Sequence, residues 1–211
     1  MSSPNKPEIT PTENGPYLVK GLINFANQNG PIAPKESMAL CRCGGSNNKP
    51  FCDGTHKTNG FSSAKLEGRV EDQLDHYGGK KITIHDNRGI CAHAGRCTDG
   101  LASVFHLKEE PWIHPDSATT EEIISTIKKC PSGALSYTIE NTKGHSGDGS
   151  PSIFIAPNGP YVVSGGPELM NTKQGEGASE EHFTMCRCGG SKNKPFCDGS
   201  HWYNGFKDDK N

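Results

Sequence analysis

Two stretches of the chain carry the same metal-binding side chains at the same spacing. Each has three cysteines and one histidine, with one residue between the first two cysteines, eight before the third and three before the histidine. Thiolates and imidazole are ligands for zinc and iron, so two sets with identical gaps predict two metal sites. The first set is Cys41, Cys43, Cys52 and His56, and the second set is Cys186, Cys188, Cys197 and His201.

The donor types alone are compatible with tetrahedral zinc or with an iron–sulfur cluster. Zinc fingers usually pair Cys-x2-Cys, whereas both sets here begin with Cys-x-Cys, and Gly44-Gly45 follows the first pair. Glycines let backbone N–H groups approach the bridging sulfides of a cluster. The spacing therefore favours iron–sulfur and leaves zinc as the alternative.

The motif Cys-x-Cys-x8-Cys-Asp-Gly-Ser-His resembles the CDGSH-type iron–sulfur domains, the mitoNEET family. The second set matches this motif in full, and the first differs only by Thr55 in place of serine. The resemblance implies that each set binds one 2Fe–2S cluster through its three cysteines and its histidine.

A whole module is repeated, not only its ligands. The turn Asn14-Gly15-Pro16 recurs as Asn158-Gly159-Pro160, and the two copies span residues 8–61 and 152–206. Single-motif relatives form homodimers with intertwined strands, so the resemblance implies an intramolecular pseudo-dimer. Two independent modules on a string are the alternative, which the small apolar content of each module disfavours.

Three further cysteines lie between the copies, and the last of them is followed by Pro131. Bacterial ferredoxins run Cys-x2-Cys-x2-Cys and place a Cys-Pro later in the chain. Here the outer spacing is kept, but Ala94 occupies the position of the second cysteine. The pattern over about residues 76–140 resembles a small single-cluster ferredoxin of the divergent bacterial kind. The middle set is Cys91, Cys97 and Cys130.

With one ligand missing, we expect the middle set to hold a 3Fe–4S cluster. The alternative is a 4Fe–4S cluster whose fourth iron is held by His93, although an ordinary loop imidazole is the simpler interpretation of that residue. Three buried structural thiols would be a third interpretation, which the Cys-Pro context disfavours.

Periodicity indicates the elements that position the middle set. Residues 81–85 and 135–139 alternate like strands that could pair, and Thr120 opens a capped helix that ends before Pro131. Residues 1–13 are expected to be a loose leader, 62–75 a connector and 143–151 a flexible linker.

Composition fits several small modules, because only 31% of the 211 residues are hydrophobic and 26 are glycine. Taken with this composition, the two resemblances imply a small α+β protein: two β-rich CDGSH modules at 1–65 and 150–211, forming the pseudo-dimer, and a ferredoxin-like α+β module at 76–142. Metal clusters would brace modules of this size.

The function predicted is electron transfer by a soluble, monomeric, cytoplasmic protein that exchanges electrons with a partner redox protein. A net charge of −2 gives no argument for binding nucleic acid or membrane. Neither a membrane-length apolar run, nor a dinucleotide or P-loop motif, nor a catalytic triad pattern is present in the sequence, so catalysis by this chain is not expected. Cluster storage or transfer, redox or pH sensing, and a zinc-braced interaction module are the alternatives.

Overall fold

The computed structural model describes residues 6–144 and 149–211, which form three β-sheets joined by loops and short helices. The first copy contains strands β1 Glu8–Pro11, β2 Tyr17–Lys20, β3 Asn24–Asn27, β4 Gly30–Pro31 and β5 Ser37–Leu40. The middle region contains β6 Asp75–Gly78, β7 Thr83–Asp86, helix α1 Arg96–Gly100, helix α2 Thr120–Ile127, β8 Leu135–Ile139 and β9 Thr142–Gly144. The second copy contains β10 Ser152–Ile155, β11 Tyr161–Ser164, β12 Glu168–Leu169 and β13 Phe183–Met185.

Two of the sheets contain strands from both copies. One has the order β12-β1-β2-β5, and the other has the order β13-β11-β10-β3-β4. Strand β3 of the first copy runs parallel to β10 of the second, with Phe25 opposite Ile153. Strand β12 of the second copy runs parallel to β1 of the first, with Ile9 opposite Leu169. The repeats therefore exchange strands reciprocally.

The expected loose leader is wrong where it covers residues 8–11. These residues form β1, which pairs with β2 on one side and β12 on the other, and Ile9 is fully buried. The local composition is polar, but partner strands from both copies supply the hydrogen bonds that hold this segment. Residues 1–5 of the predicted leader lie outside the described part of the chain.

Both copies contribute to one hydrophobic core. Alternate residues of the strands face inwards, as the period of two requires. Tyr17, Val19, Tyr161 and Val163 are each fully buried in this cluster.

The middle region has its own antiparallel sheet, in the order β6-β7-β8-β9, with a separate core under α2. The predicted strand pairing is present, with Ile84 opposite Tyr137. Helix α2 begins at Thr120, but its cap is Thr119, which exchanges hydrogen bonds with Glu122 in a capping box. The predicted linker overlaps β9 at its start, and residues 145–148 lie outside the described residues.

Among the described residues, no helix combines the length and the apolar character that crossing a bilayer requires.

Candidate metal centres

The first set lies in the loop that follows β5 and in the short 3₁₀ turn Thr55–Lys57. Cys41 Sγ lies 3.9 Å from Cys43 Sγ, and Cys52 Sγ lies 3.4 Å from His56 Nδ1. Two ligands on one tetrahedral ion are about 3.8 Å apart for two sulfurs and about 3.5 Å for sulfur and nitrogen. The four donors therefore fit two metal ions, one held by Cys41 and Cys43 and one by Cys52 and His56.

The second set repeats this geometry. Cys186 Sγ lies 3.8 Å from Cys188 Sγ, and Cys197 Sγ lies 3.4 Å from His201 Nδ1. All nine cysteines lie in the described part of the chain, and none forms a disulfide. The donors are therefore present as thiols or thiolates that a metal could bind.

Backbone N–H groups point at the sulfurs of both sets. Gly45 and Gly54 donate to Cys43 and Cys52, both at 3.4 Å. Gly190 and Gly199 make the matching bonds in the second set, at 3.4 and 3.5 Å. Such bonds stabilise negative charge on sulfur, so the expectation that glycines bring N–H groups to the site agrees with the geometry.

In each Cys-x-Cys pair, the second cysteine has the lower thiol pKa. The Cys41 thiol donates to Cys43, and this bond lowers the pKa of Cys43 to about 5, with further bonds from the Gly45 N–H and the Asn59 side chain. The corresponding bond from Cys186 lowers the pKa of Cys188 to about 6. A cation bound there would find a thiolate already formed.

A carboxylate braces each ligand loop. Asp53 accepts hydrogen bonds from the Asn47 N–H at 2.8 Å and from the Thr55 N–H and hydroxyl at 3.0 and 2.6 Å. Asp198 makes the same bonds with Lys192 and Ser200. Serine and threonine are interchangeable here because the loop uses only the shared hydroxyl and N–H.

The two ligand loops touch each other. Cys43 and Cys188 face each other in an isolated antiparallel bridge. A Cβ placed on Gly44 would lie 2.6 Å from the Cys188 carbonyl oxygen, and one on Gly189 would lie 2.6 Å from that of Cys43. Only glycine permits this approach, so the two sets lie side by side.

Buried arginines support the loops, a feature that the spacing of the ligands does not reveal. Arg187 is 1% exposed, donates to the backbone oxygens of Gly159 and Ala156, and pairs with the Asp208 carboxylate. Arg42 is also buried but donates to the Thr12 carbonyl oxygen at 3.0 Å. The buried arginine therefore pairs with a carboxylate in the second copy and with a backbone carbonyl oxygen in the first.

The middle set lines one cavity of about 600 Å³. Cys91 follows the 3₁₀ turn Arg88–Ile90, Cys97 lies on α1, and Cys130 follows α2. Burial, and then the neighbouring Cys130, raises the pKa of Cys91 to about 12. Burial also raises the pKa of Cys97. These sulfurs need a bound cation to become thiolates at neutral pH, as cluster ligands do.

His93 lies between the middle set and the second set. It lines the same cavity as the three cysteines, and its backbone N–H donates to Cys91 Sγ at 3.4 Å. A Cβ on Gly199 would lie 3.0 Å from Cδ2 of its ring. A second contact joins the ligand loop of the second set to the turn before Cys91, since the Asn193 side chain donates to the Gly89 carbonyl oxygen at 2.5 Å.

Comparison with known proteins decides the family. A model described as "Iron-binding zinc finger CDGSH type" matches residues 14–57 and 158–202, and one described as "Divergent 4Fe-4S mono-cluster" matches residues 77–140. The chain belongs to the CDGSH iron–sulfur family. Its two CDGSH domains flank a divergent single-cluster ferredoxin-type domain, so the predicted families and their order are confirmed.

Curated relatives agree with this assignment. The chain is 44% identical over 61 residues to the "Uncharacterized protein YjdI" of Escherichia coli strain K12 and to the protein of the same name in Escherichia coli O157:H7. The match spans 29% of this chain and 80% of each relative. No solved structure matches the chain. The two family models together support an iron–sulfur protein.

Proposed function

We propose that the chain is an electron carrier with three iron–sulfur clusters arranged in series. The first and second sets would each hold a 2Fe–2S cluster. The middle set would hold a 3Fe–4S cluster on its three cysteines, or a 4Fe–4S cluster as its family description has it. The observation that carries the proposal is the contact of each ligand loop with the next.

The first contact joins the two CDGSH sets. Residues opposed in an antiparallel bridge have Cα atoms about 4.5–5.5 Å apart, and Cys43 and Cys188 are opposed in this way. Each sulfur is joined to its Cα through a single carbon, so two groups bound by these sulfurs would be close neighbours.

The second contact joins the second set to the middle set. His93 packs on Gly199, which lies two residues after Cys197, while its own N–H reaches Cys91. No comparable packing between the first set and the middle set appears among the contacts of the described residues. The order along the series would therefore be middle, second, first.

When bound, iron–sulfur clusters accept and release single electrons, and an imidazole in place of a thiolate raises the reduction potential above that of all-cysteine clusters. The protein chain positions the clusters and determines how deeply their ligands are buried. Cys197 and His201 are buried, whereas their counterparts Cys52 and His56 are partly exposed; in both sets the first cysteine is buried and the second is partly exposed. A partner redox protein would thus reach the first set more readily than the second.

We further propose that the two CDGSH modules form an intramolecular pseudo-dimer. The reciprocal pairing of β3 with β10 and of β12 with β1 supports it, as does the shared core. Neither module has a complete sheet of its own, so the predicted modules 1–65 and 150–211 would fold together. The chain would then act as a monomer, without a catalytic residue of its own.

EPR during a potentiometric titration of fresh protein tests the series, after iron and acid-labile sulfide have been measured. Magnetic interaction is expected between the first and second clusters and between the second and middle clusters. Cys197→Ser should abolish both interactions, because it removes the cluster in the centre of the series. Cys52→Ser, the matched control, should abolish only one.

Two outcomes would contradict the proposal. If Cys197→Ser left the middle and first clusters magnetically coupled, the order would be wrong. A colourless protein without sulfide would contradict electron transfer altogether and favour a zinc-braced scaffold.

Cluster transfer is a second candidate function, favoured by the partial exposure of the first set. Mixing the loaded protein with an apo-ferredoxin distinguishes the two functions. Transfer predicts that the acceptor gains colour while alkylating reagents begin to label Cys41, Cys43 and Cys52. Electron transfer predicts that iron stays with this chain.

A further inference from the structure

A different donor set lies on the hairpin-like segment of the middle region, outside the cysteine sites. His106, Glu109 and His114 have ligand atoms that all lie within 4.8 Å of one another. Nδ1 of His106 is 2.7 Å from a carboxylate oxygen of Glu109, and the centroids of the two imidazole rings are 4.4 Å apart. Both histidines are partly exposed and Glu109 is exposed, so an ion could enter from solvent.

The backbone fixes the two histidines relative to each other. Phe105 and Ile113 face each other in an antiparallel bridge, and both are buried. His106 N–H donates to the Trp112 carbonyl oxygen at 2.7 Å, and His114 N–H donates to that of Val104 at 2.8 Å. This register makes His106 and His114 diagonal cross-strand neighbours, a relationship that lets long side chains meet.

The hydrogen bonds of His106 suit a metal ligand. Its Nε2 lies 3.0 Å from the Ser103 carbonyl oxygen, which requires the proton on that nitrogen. Metal-binding histidines usually donate their second N–H to a carbonyl or carboxylate in this way. The Glu109 carboxylate beside Nδ1 raises the pKa of His106, so this carboxylate already stabilises positive charge at the position that a metal would take.

We propose that His106, Glu109 and His114 bind one divalent transition-metal ion, of which zinc is the best match. Two imidazoles and one carboxylate suit zinc, whereas calcium and magnesium prefer oxygen ligands alone. His106 and Glu109 also line the cavity that contains the middle cysteines. The ion would therefore hold one wall of that cavity in place.

Equilibrium dialysis of the cluster-loaded protein against zinc, in the presence of a competing chelator, tests the site. One zinc ion per chain is expected, with iron and sulfide contents unchanged. His106→Ala and His114→Ala should abolish this uptake, and Glu109→Gln should weaken it by at least about tenfold. Glu110→Gln is the matched control, because Glu110 lines the same cavity without belonging to the set.

Several results would overturn the site. Zinc uptake that releases iron would place the zinc in a cysteine set, and equal uptake by His114→Ala and the unmodified chain would place it elsewhere. Absence of uptake by the unmodified chain would also refute it. Should the alanine variants fail to fold, Glu109→Gln against Glu110→Gln still decides, since both keep the shape of the side chain.

Discussion

The side-chain hydroxyl of Tyr17 lies 2.9 Å from the carbonyl oxygen of Cys186, so a residue of the first copy supports the ligand loop of the second. The same hydroxyl lies 2.9 Å from the Pro195 carbonyl oxygen. In the reciprocal contact, the Tyr161 hydroxyl of the second copy lies 3.0 Å from the carbonyl oxygen of Cys41 in the first. Each ligand loop is therefore tied to the opposite copy.

Tyr17→Phe should loosen the second set more than the first. The change removes the hydroxyl donor from the buried Cys186 carbonyl oxygen, at a cost of about 1–3 kcal/mol, whereas the Pro195 carbonyl oxygen keeps the Cys186 N–H. Chelator-driven release, followed by alkylation and mass spectrometry of each cysteine, should show faster labelling of Cys186 and Cys197. Tyr161→Phe should accelerate Cys41 instead.

Tyr203→Phe serves as the control for these two variants, since Tyr203 is 90% exposed. It should change neither rate. Equal acceleration of both sets by Tyr17→Phe would contradict the crossed support and indicate a general loss of stability.

Gly199→Ala should destabilise the protein more than Gly54→Ala. Both glycines have positive φ, 81° and 91°, so alanine is strained at either position by roughly 1–2 kcal/mol. At Gly199 the new methyl group would also lie 3.0 Å from the His93 ring. At Gly54 no atom lies within 4 Å of the position that the methyl group would take. Thermal unfolding of the loaded protein measures the difference.

The excess cost at Gly199 should disappear when the His93 side chain is removed down to its Cβ, since that Cβ itself lies 3.1 Å from the new methyl group. In a His93→Gly background, Gly199→Ala and Gly54→Ala should lower the unfolding midpoint by similar amounts. Unequal costs in that background would mean that the contact between the middle and second loops is not the source of the difference.

The clustering of the donors within each CDGSH set was predictable from the sequence because a fixed motif has fixed spacing. The strand pairing of the middle region was predictable for a similar reason, since alternation in 135–139 marks one face of a strand. The resemblance implied intertwined strands, but it did not indicate that β3 and β12 are the strands exchanged, because the parallel pairing of Phe25 with Ile153 joins residues far apart in the chain. Short polar strands carry little local signal for such a partner.

The motif also did not predict the side chains that lie outside the ligand sets and contact each other in the folded protein. Asp208 lies among charged residues, and nothing there predicts that it pairs with buried Arg187. The His106 set consists of residues common in loops, and only the bridge between Phe105 and Ile113 brings its histidines together. Both depend on tertiary contacts rather than on spacing.

Asp86 should make stability fall as the pH rises through about 6. Burial raises the pKa of its carboxyl to about 6, although the Arg88 guanidinium lies 2.9 Å away and acts in the opposite direction; Asp75 adds to the rise. In the unfolded chain the group titrates near about 3.9. The folded state thus holds the proton more tightly, and this contribution is present at low pH and lost as the carboxyl ionises.

Asp86→Asn removes this dependence. Relative to Asp86→Asn, the unmodified chain should lose on the order of 1 kcal/mol of stability between about pH 5.5 and about pH 7.5. Unfolding midpoints of the two loaded proteins, measured across that range, check the sign and the size. A parallel pair of curves would contradict the prediction.

Acid should release the cluster of the first set before that of the second. Protonation of the histidine that binds iron breaks the bond, and it requires access of water and a positive charge on the ring. His56 is partly exposed, whereas His201 is only 7% exposed, in a site where burial disfavours the charged form. Bleaching of the visible spectrum below about pH 6 should therefore have two phases.

Substitution by cysteine assigns the two phases. His56→Cys should remove the faster phase, because a thiolate replaces the more exposed of the two imidazoles, and His201→Cys should slow only the later one. Alkylation mapping at pH 5.5 should then label Cys52 before Cys197 in the unmodified chain. Simultaneous labelling, or bleaching no faster at pH 5 than at pH 8, would mean that exposure of the histidine does not control release.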